Sequence, residues 1–309
     1  MHIALLYHQR IPVDRYGGTE RVVVWHARGL VELGHRVTLI APPGCKVPNV
    51  DYIAVDGRAV RQWDFDIRPH LPPGIDLIHA HKLFHPIEVP SVWTMHGVRT
   101  SQQTYPDGMI CLSADHARRM GCRTFVYNGL DPDEFRFEPR KAGFDLFLGR
   151  LRTMKGWRWA IEGAHRADRD LVVAGGWRPS LRRGLRFAGE VGGEEKRNLL
   201  AGAACLWMPA LWDEPFGLTL IEAMASGTPI LGTTRGALPE IVTPDVGALG
   251  DTLEELVALR PTVDRIDPAA CRARLEAGFT HRTMAERYLA VYRHRLATGT
   301  LPTDLRFEP

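Results

Sequence analysis

The chain has 309 residues, of which 45% are hydrophobic and 24% charged, and its formal net charge is only +3. Such a length suits two globular domains of ordinary size, and the hydrophobic fraction is typical of a globular protein, with nothing that points to disorder. The near-balanced charge leaves nucleic acid without an electrostatic footprint, although mild basicity suits an anionic ligand.

Taken from the start, His2 to His8 reads as a buried strand and Thr19 to Leu33 as a helix with Val22, Val23, His26, Leu30 and Leu33 near one face. Gly17-Gly18 lies between them. It does not make the G-x-G-x-x-G fingerprint, which disfavours a dinucleotide dehydrogenase. Strands are expected at Arg36 to Ala41, Tyr52 to Val55, Asp76 to Ala80, Val92 to Met95, Met109 to Leu112 and Thr124 to Tyr127. Their alternation with helical or irregular pieces predicts a mostly parallel sheet. His79, His81 and His85 suggest a metal, but strand alternation sends the first two to one face without a third ligand and carboxylate of the zinc type. No metal is assigned, and these residues read as strand-end histidines lining a cleft. Another histidine, His96, follows the apolar Val92-Trp93 and precedes Gly97. Asp131 and Asp133 form a D-x-D triplet, yet they follow an Asn128-Gly129 turn and precede a polar linker through Lys141, which reads as hinge and cap chemistry.

The second half opens with a strand from Phe144 to Leu148, followed by Gly149-Arg150 and Lys155-Gly156, then a helix from Trp157 to Ala167. Arg150 offers phosphate a planar fork and Lys155 a mobile point charge. Strands at Asp170 to Ala174 and Arg186 to Glu190 lead into a polar helix from Glu194 to Ala203. The stretch from Trp212 to Pro229 then starts a helix at Gly217, with Pro215 at its approach and Gly227 at its end. Unpaired N–H groups at Phe216-Gly217-Leu218-Thr219 and the positive end of the helix dipole make a phosphate seat. Glu222, a little over one turn in, can accept two hydrogen bonds from a ribose diol, while Glu214 can hold hydroxyls on the other side of the phosphate. A last helix runs from Thr280 to Leu296, with Met284, Tyr288, Leu289, Val291 and Tyr292. The five cysteines are an odd set without C-x-x-C spacing, which favours reduced thiols. With no visible signal peptide or membrane-spanning run, the expected location is the cytoplasm, including the inner face of the membrane.

Glu214 and Glu222, with Pro215, Phe216 and Gly217 between them and Ala223-Met224-Ala225, Gly227 and Pro229 after them, resemble the E-x7-E signature of the family 4 retaining glycosyltransferases. The resemblance implies an α/β fold of two doubly wound Rossmann-like domains facing across a cleft (GT-B), with a C-terminal helix crossing back to the first. Residues 1–135 would bind the acceptor, residues 136–280 the nucleotide sugar, and residues 281–309 would be the crossing helix and tail. Gly17-Gly18-Thr19-Glu20 is similar to the glycine loop that approaches donor phosphate or acceptor, and His96 to the strand-end histidine facing the sugar. Arg150 and Lys155 are similar to the basic pair that closes on the diphosphate, while Glu190 and Val191 fall where the loop meets the base. The segment from Arg178 to Gly184 is shorter than usual for the family, which puts base recognition in question. Thr233 to Val242 is similar to the loop and short helix that follow.

The implied activity is transfer of a sugar, with retention, from a nucleotide diphosphate sugar to an acceptor hydroxyl. UDP-sugars are the favoured donors and GDP-mannose the second. Arg150, Lys155, Glu214 and His96 would carry the chemistry, with no metal, no cofactor and no nucleic-acid partner. The leaving phosphate itself would help take the acceptor proton. Two alternatives remain: an epimerase of nucleotide sugars on the same architecture, and a non-catalytic nucleotide-sugar sensor.

Overall fold

The structure is a computed structural model that describes residues 1–13, 17–98 and 105–303. It contains two compact units.

The described part of the first unit comprises residues 1–13, 17–98, 105–130 and 280–303. Its elements are β1 (His2–Leu6), α1 (Gly18–Glu32), β2 (Arg36–Ala41), β3 (Asp51–Ala54), β4 (Leu77–Ala80), β5 (Ser91–Thr94), β6 (Met109–Ile110) and α2 (Ala114–Met120), rejoined by a C-terminal helix described below. The strands make one parallel sheet in the order β3-β2-β1-β4-β5-β6, the doubly wound arrangement in which strand order reverses between β1 and β4. β1 is apolar after its first residue because both faces of a parallel sheet are covered. Ala4 and Leu6 join Ile40, Ile78 and Trp93 in one cluster, which leaves Ile3 and Leu5 for the other face.

Two local expectations change here. Thr124 to Tyr127 is not a strand: it makes a single bridge, Cys111 to Phe125, beyond the end of the two-residue β6, so there is too little partner strand to extend a ladder. The sequence reading also passes over α2, whose signals are local. Ser113 accepts a hydrogen bond from His116 N at its start, and Gly121 takes the left-handed conformation at its end.

The second unit spans residues 131–279. It contains β7 (Asp145–Leu148), α3 (Trp157–Arg166), β8 (Leu171–Ala174), β9 (Leu185–Gly189), α4 (Gly193–Gly202), β10 (Cys205–Met208), α5 (Leu218–Ala225), β11 (Ile230–Gly232), α6 (Leu238–Ile241), β12 (Gly247–Leu249), α7 (Leu253–Val263) and α8 (Pro268–Gly278). The parallel sheet has the order β12-β11-β10-β7-β8-β9, so the reversal falls between β7 and β10. Before it, Asp131 accepts from Asp133 N at 3.0 Å and caps a short turn at Pro132–Glu134, as the D-x-D context suggests. α7 and α8 are further elements absent from the sequence reading. A capping box between Thr252 and Glu255 starts α7, and Asp267 with Pro268 starts α8.

The chain then returns to the first unit as α9 (His281–Thr298), which packs on α1. A Cβ on Gly29 would lie 2.6 Å from His281 O and 2.8 Å from Ala285 Cβ, so the two helices meet at a glycine. Tyr288 and Tyr292 are fully buried. No helix among the described residues is long and apolar enough to cross a membrane.

The core of the second unit is keyed by one ion pair. Asp145, at the start of β7, is fully buried; Arg260 Nη2 and Nε donate to its two oxygens at 2.6 and 2.7 Å, and Trp207 Nε1 donates at 2.7 Å. Arg260 Nη1 donates in turn to Asp264 Oδ1 at 2.7 Å. Fully paired charges of this kind are tolerated inside a protein, whereas removing one partner strands the other. Arg260→Met should therefore destabilise the protein by about 3 to 5 kcal/mol. Urea unfolding followed by circular dichroism measures it, and a loss below about 1 kcal/mol would contradict this account.

Candidate functional site

In doubly wound sheets, ligands bind beyond the strand C-terminal ends, near the reversal of strand order. In the second unit those ends carry Gly149-Arg150 after β7 and the loop to Glu214 after β10. The chain folds closely there. Gly156 has φ +73°, and a Cβ on it would lie 1.7 Å from Pro209 O, so the turn holding Lys155 rests directly on the loop after β10. Leu211 N donates to Met154 O at 2.8 Å across the same seam. Lys155 Nζ consequently donates to Glu214 Oε2 at 2.5 Å and lies 4.8 Å from the centre of the Trp212 ring. Trp212 Nε1 donates to the same carboxylate oxygen at 3.1 Å. Sequence reasoning left Trp212 out of the site; the structure makes it part of the Lys155–Glu214 group. Arg150 is exposed, and Glu214 is buried.

Gly217 caps α5 with φ +86°, a conformation suited to glycine, and Leu220 N donates back to Gly217 O at 2.9 Å. Phe216 is buried against Phe279, with ring centres 6.0 Å apart, so only its backbone can serve a ligand at the helix start. Leu218 and Thr219 form the first turn and are half-buried. A second glycine supports the carboxylate from behind: a Cβ on Gly236 would lie 2.3 Å from Glu214 N, and Ala237 N donates to Glu214 O at 2.9 Å.

Glu222 lies one turn further along α5 and is wholly buried. Lys196 Nζ, from α4, donates to its Oε1 at 2.5 Å. No local sequence signal announces this partner, because the two residues come from different helices. Glu190 is exposed and Val191 buried in the loop between β9 and α4, which begins at Gly193 just beyond them. The structure thus gathers Lys155, Trp212 and Glu214 in one direct contact group, and places Glu222 with Lys196 a turn away.

In the first unit Gly17 and Gly18 stand at the start of α1. A Cβ on Gly17 would lie 2.8 Å from Glu20 Oε2, and Arg21 Nε donates to Gly17 O at 2.9 Å. His96 follows β5 and is half-buried. His116 Nε2 donates to Gly97 O at 2.8 Å while its Nδ1 accepts from Leu112 N, which ties the turn after His96 to α2. Burial pulls His96 down to about 3, with His116 and His8 adding to the shift, so this imidazole is neutral at physiological pH.

His79 and His81 are a correction. They do not line an open face: both are buried, stacked with ring centres 4.4 Å apart, and hydrogen-bonded. His26 of α1 is the third member that the sequence spacing does not reveal. Ligand atoms of His26, His79 and His81 lie within 4.8 Å of one another. Every ring nitrogen of the three already has a hydrogen-bond partner. The set is a satisfied polar core.

Residues 145–258 match the family model described as glycosyl transferases group 1. A protein of Methanocaldococcus jannaschii described as an uncharacterized glycosyltransferase is 29% identical over 40% of this chain, and the match spans only 39% of that relative. The phosphatidyl-myo-inositol mannosyltransferase of Mycolicibacterium smegmatis is 27% identical, with 76% of this chain and 78% of the relative covered. Among solved structures, AviGT4, a glycosyltransferase involved in avilamycin A biosynthesis, superposes with a TM-score of 0.81 at 29% identity, over 97% of this chain and 99% of that one. These likenesses support a glycosyltransferase, and the paired six-stranded parallel sheets are those of the GT-B fold.

The buried Lys196–Glu222 pair generates a prediction. Lys196→Met should cost about 3 to 5 kcal/mol of stability, because it takes the Lys196 ammonium away from a buried carboxylate. Adding Glu222→Gln should return most of that loss. Urea unfolding of the four proteins in the double-mutant cycle checks it, and strictly additive losses would show that the pair is not coupled.

Proposed function

We propose that this chain is a family 4 retaining glycosyltransferase that moves a sugar from a nucleotide diphosphate sugar to an acceptor hydroxyl without a metal. The observation that carries the reading is the convergence of Lys155, Trp212 and Glu214 at the glycine-capped start of α5, with Glu222 one turn on. Cleavage of the anomeric bond pushes negative charge onto the diphosphate. Arg150, Lys155 and the N–H groups from Phe216 to Thr219 are the donors to that charge, fixed before it develops. Glu214 reads hydroxyls of the transferred sugar, Glu222 holds the ribose, and Glu190 and Val191 border the base. Gly17 and Gly18 approach the donor phosphate or the acceptor, and His96 hydrogen-bonds the sugar. UDP-sugars are the favoured donors and GDP-mannose the second, a choice that the name of the mannosyltransferase relative supports testing. The acceptor is met in the cytoplasm or at the inner face of the membrane.

The deciding experiment incubates the protein with UDP-sugars and with GDP-mannose, with and without a chelator, in the presence of an acceptor extract, and identifies products by mass spectrometry and anomeric proton couplings. A new glycoside with the donor's anomeric configuration, formed equally with chelator, is the expected result. A new nucleotide sugar alone would instead mean epimerisation, and binding without any product would mean a sensor.

Single substitutions separate the roles. Arg150→Ala and Lys155→Ala should each slow turnover by roughly a hundredfold to a thousandfold, the usual scale for removing one donor to developing charge. Wild-type turnover at saturating donor in either variant would remove that residue from the leaving-group role. Glu222→Gln should weaken free nucleoside diphosphate and intact donor alike, by about 1.5 to 3 kcal/mol. Glu214→Gln should spare the nucleotide and lower turnover and sugar discrimination. Calorimetry with nucleotide and nucleotide sugar compares them; equal losses of nucleotide affinity would place both carboxylates on the nucleotide.

A further inference from the structure

The first unit contains a continuous hydrogen-bonded chain that the proposed activity does not use. Tyr288 OH meets Thr94 Oγ1 at 3.0 Å, and Thr94 Oγ1 meets His79 Nε2 at 2.7 Å. His79 Nδ1 then contacts Tyr292 OH, which meets His26 Nε2 at 3.0 Å. His26 Nδ1 meets His81 Nε2 at 3.0 Å, and His81 Nδ1 meets His96 Nε2 at 2.9 Å. Every member except His96 is buried. Among the described residues, His96 Nδ1 has no partner.

Proton counting decides the direction of this chain. A neutral imidazole carries one N–H and one acceptor nitrogen, and each hydroxyl carries one proton. Burial holds His26 near 3 and His79 and His81 well below the ordinary histidine range, each further depressed by its histidine neighbours, so all four rings are neutral at physiological pH. The seven members therefore bring seven protons to six links. One proton is surplus. If the chain donates from Tyr288 towards His96, the surplus is the Nδ1 proton of His96, the half-buried end. If it donates the other way, or reverses at a hydroxyl, the surplus is a buried hydroxyl proton of Tyr288, Thr94 or Tyr292, for which the described residues offer no further acceptor. An orphaned buried donor disfavours those arrangements by about fivefold to a hundredfold.

We propose that Tyr288, Tyr292, His26, His79 and His81 are positioning residues that lock His96 in the neutral Nδ1–H tautomer. His96 is thereby a hydrogen-bond donor at Nδ1 and cannot act there as a general base. All four histidines of the chain take the same tautomer, because a single direction of donation runs through them. The alternative use of His26, His79 and His81 as a metal site would require breaking these bonds at completely buried nitrogens. The catalytic meaning of the lock rests on the reading of His96 as the residue that meets the sugar; the lock itself does not.

Long-range proton–nitrogen correlation spectra of the whole protein, labelled with 15N-histidine and assigned with His→Gln variants, test it. The expected spectrum shows a protonated Nδ1 and an unprotonated Nε2 for His26, His79, His81 and His96. Nε2–H forms in the wild-type protein, or stoichiometric zinc in the purified protein, would overturn the proposal. His81→Leu should release His96 to the Nε2–H form that a free imidazole prefers, whereas His81→Gln, which can accept from His26 and donate to His96, should keep Nδ1–H. A His96 that stays Nδ1–H in His81→Leu would also overturn it. If the leucine variant fails to fold, the wild-type spectrum alone decides. In transfer assays His81→Leu should lower kcat about tenfold or more with KM little changed, and His81→Gln should restore it. A correct tautomer pattern with unaltered kcat in His81→Leu would support the lock and remove His96 from the reading of function.

Discussion

A buried carboxylate is stable only if something answers its charge, and two stand close together here, Glu214 in the loop before α5 and Glu222 within the helix. Glu214 is answered by Lys155 and Trp212, and Glu222 by Lys196. The surrounding fold is arranged to deliver these partners. The β7–α3 turn must lie on the loop after β10 for Lys155 to reach Glu214, and Gly156 is the residue that lets it lie there. α4 must run beside α5 for Lys196 to reach Glu222. The ion pair holds the carboxylate and the cation against each other, so neither charge is left alone in this partly buried place.

What the sequence made legible follows from locality. The strand–turn–helix alternation, the two-unit organisation, the glycine and proline at the start of α5 and its end at Gly227 are all written within a few residues of where they act. The parallel order of both sheets follows from that alternation. Cap chemistry at Asp131 is equally local, because the N–H that it accepts from belongs to Asp133, two residues on, although Asn128-Gly129 before it does not form the expected turn. Thr124 to Tyr127 was misread for the complementary reason: β propensity makes a strand only where a neighbour is long enough to pair with.

Partners contributed by distant elements were not legible. Lys196 is one polar residue in a polar helix, and nothing around it shows that its ammonium ends on Glu222. Nothing around Trp212 in the sequence distinguishes it from a core tryptophan, yet its indole nitrogen reaches Glu214 Oε2. His79 and His81 were visible as a pair on one strand face. Their environment was not, since His26 comes from α1 and the tyrosines come from a helix that follows the second unit in sequence. α7 and α8 carry clear caps, but Pro261 interrupts the pattern of the first and both have polar faces that blur the helical period.

The same distant contacts explain why α9 is more than an apolar cover for α1. Tyr288 and Tyr292 are four residues apart and so share one face of the helix, which both hydroxyls use to reach the sheet. A purely apolar face would lose little if α9 slid along α1. A slide of even half a turn, about 2.7 Å, would pull both hydroxyls from Thr94, His79 and His26 and leave several buried polar groups unpaired. The close approach at Gly29 opposes the same movement sterically, because the neighbouring positions of α1 carry side chains where Gly29 has none. The axial position of the last helix is thus fixed by polar bonds and by one missing side chain together, and the first unit is completed by a segment that the chain adds only after the second unit is made.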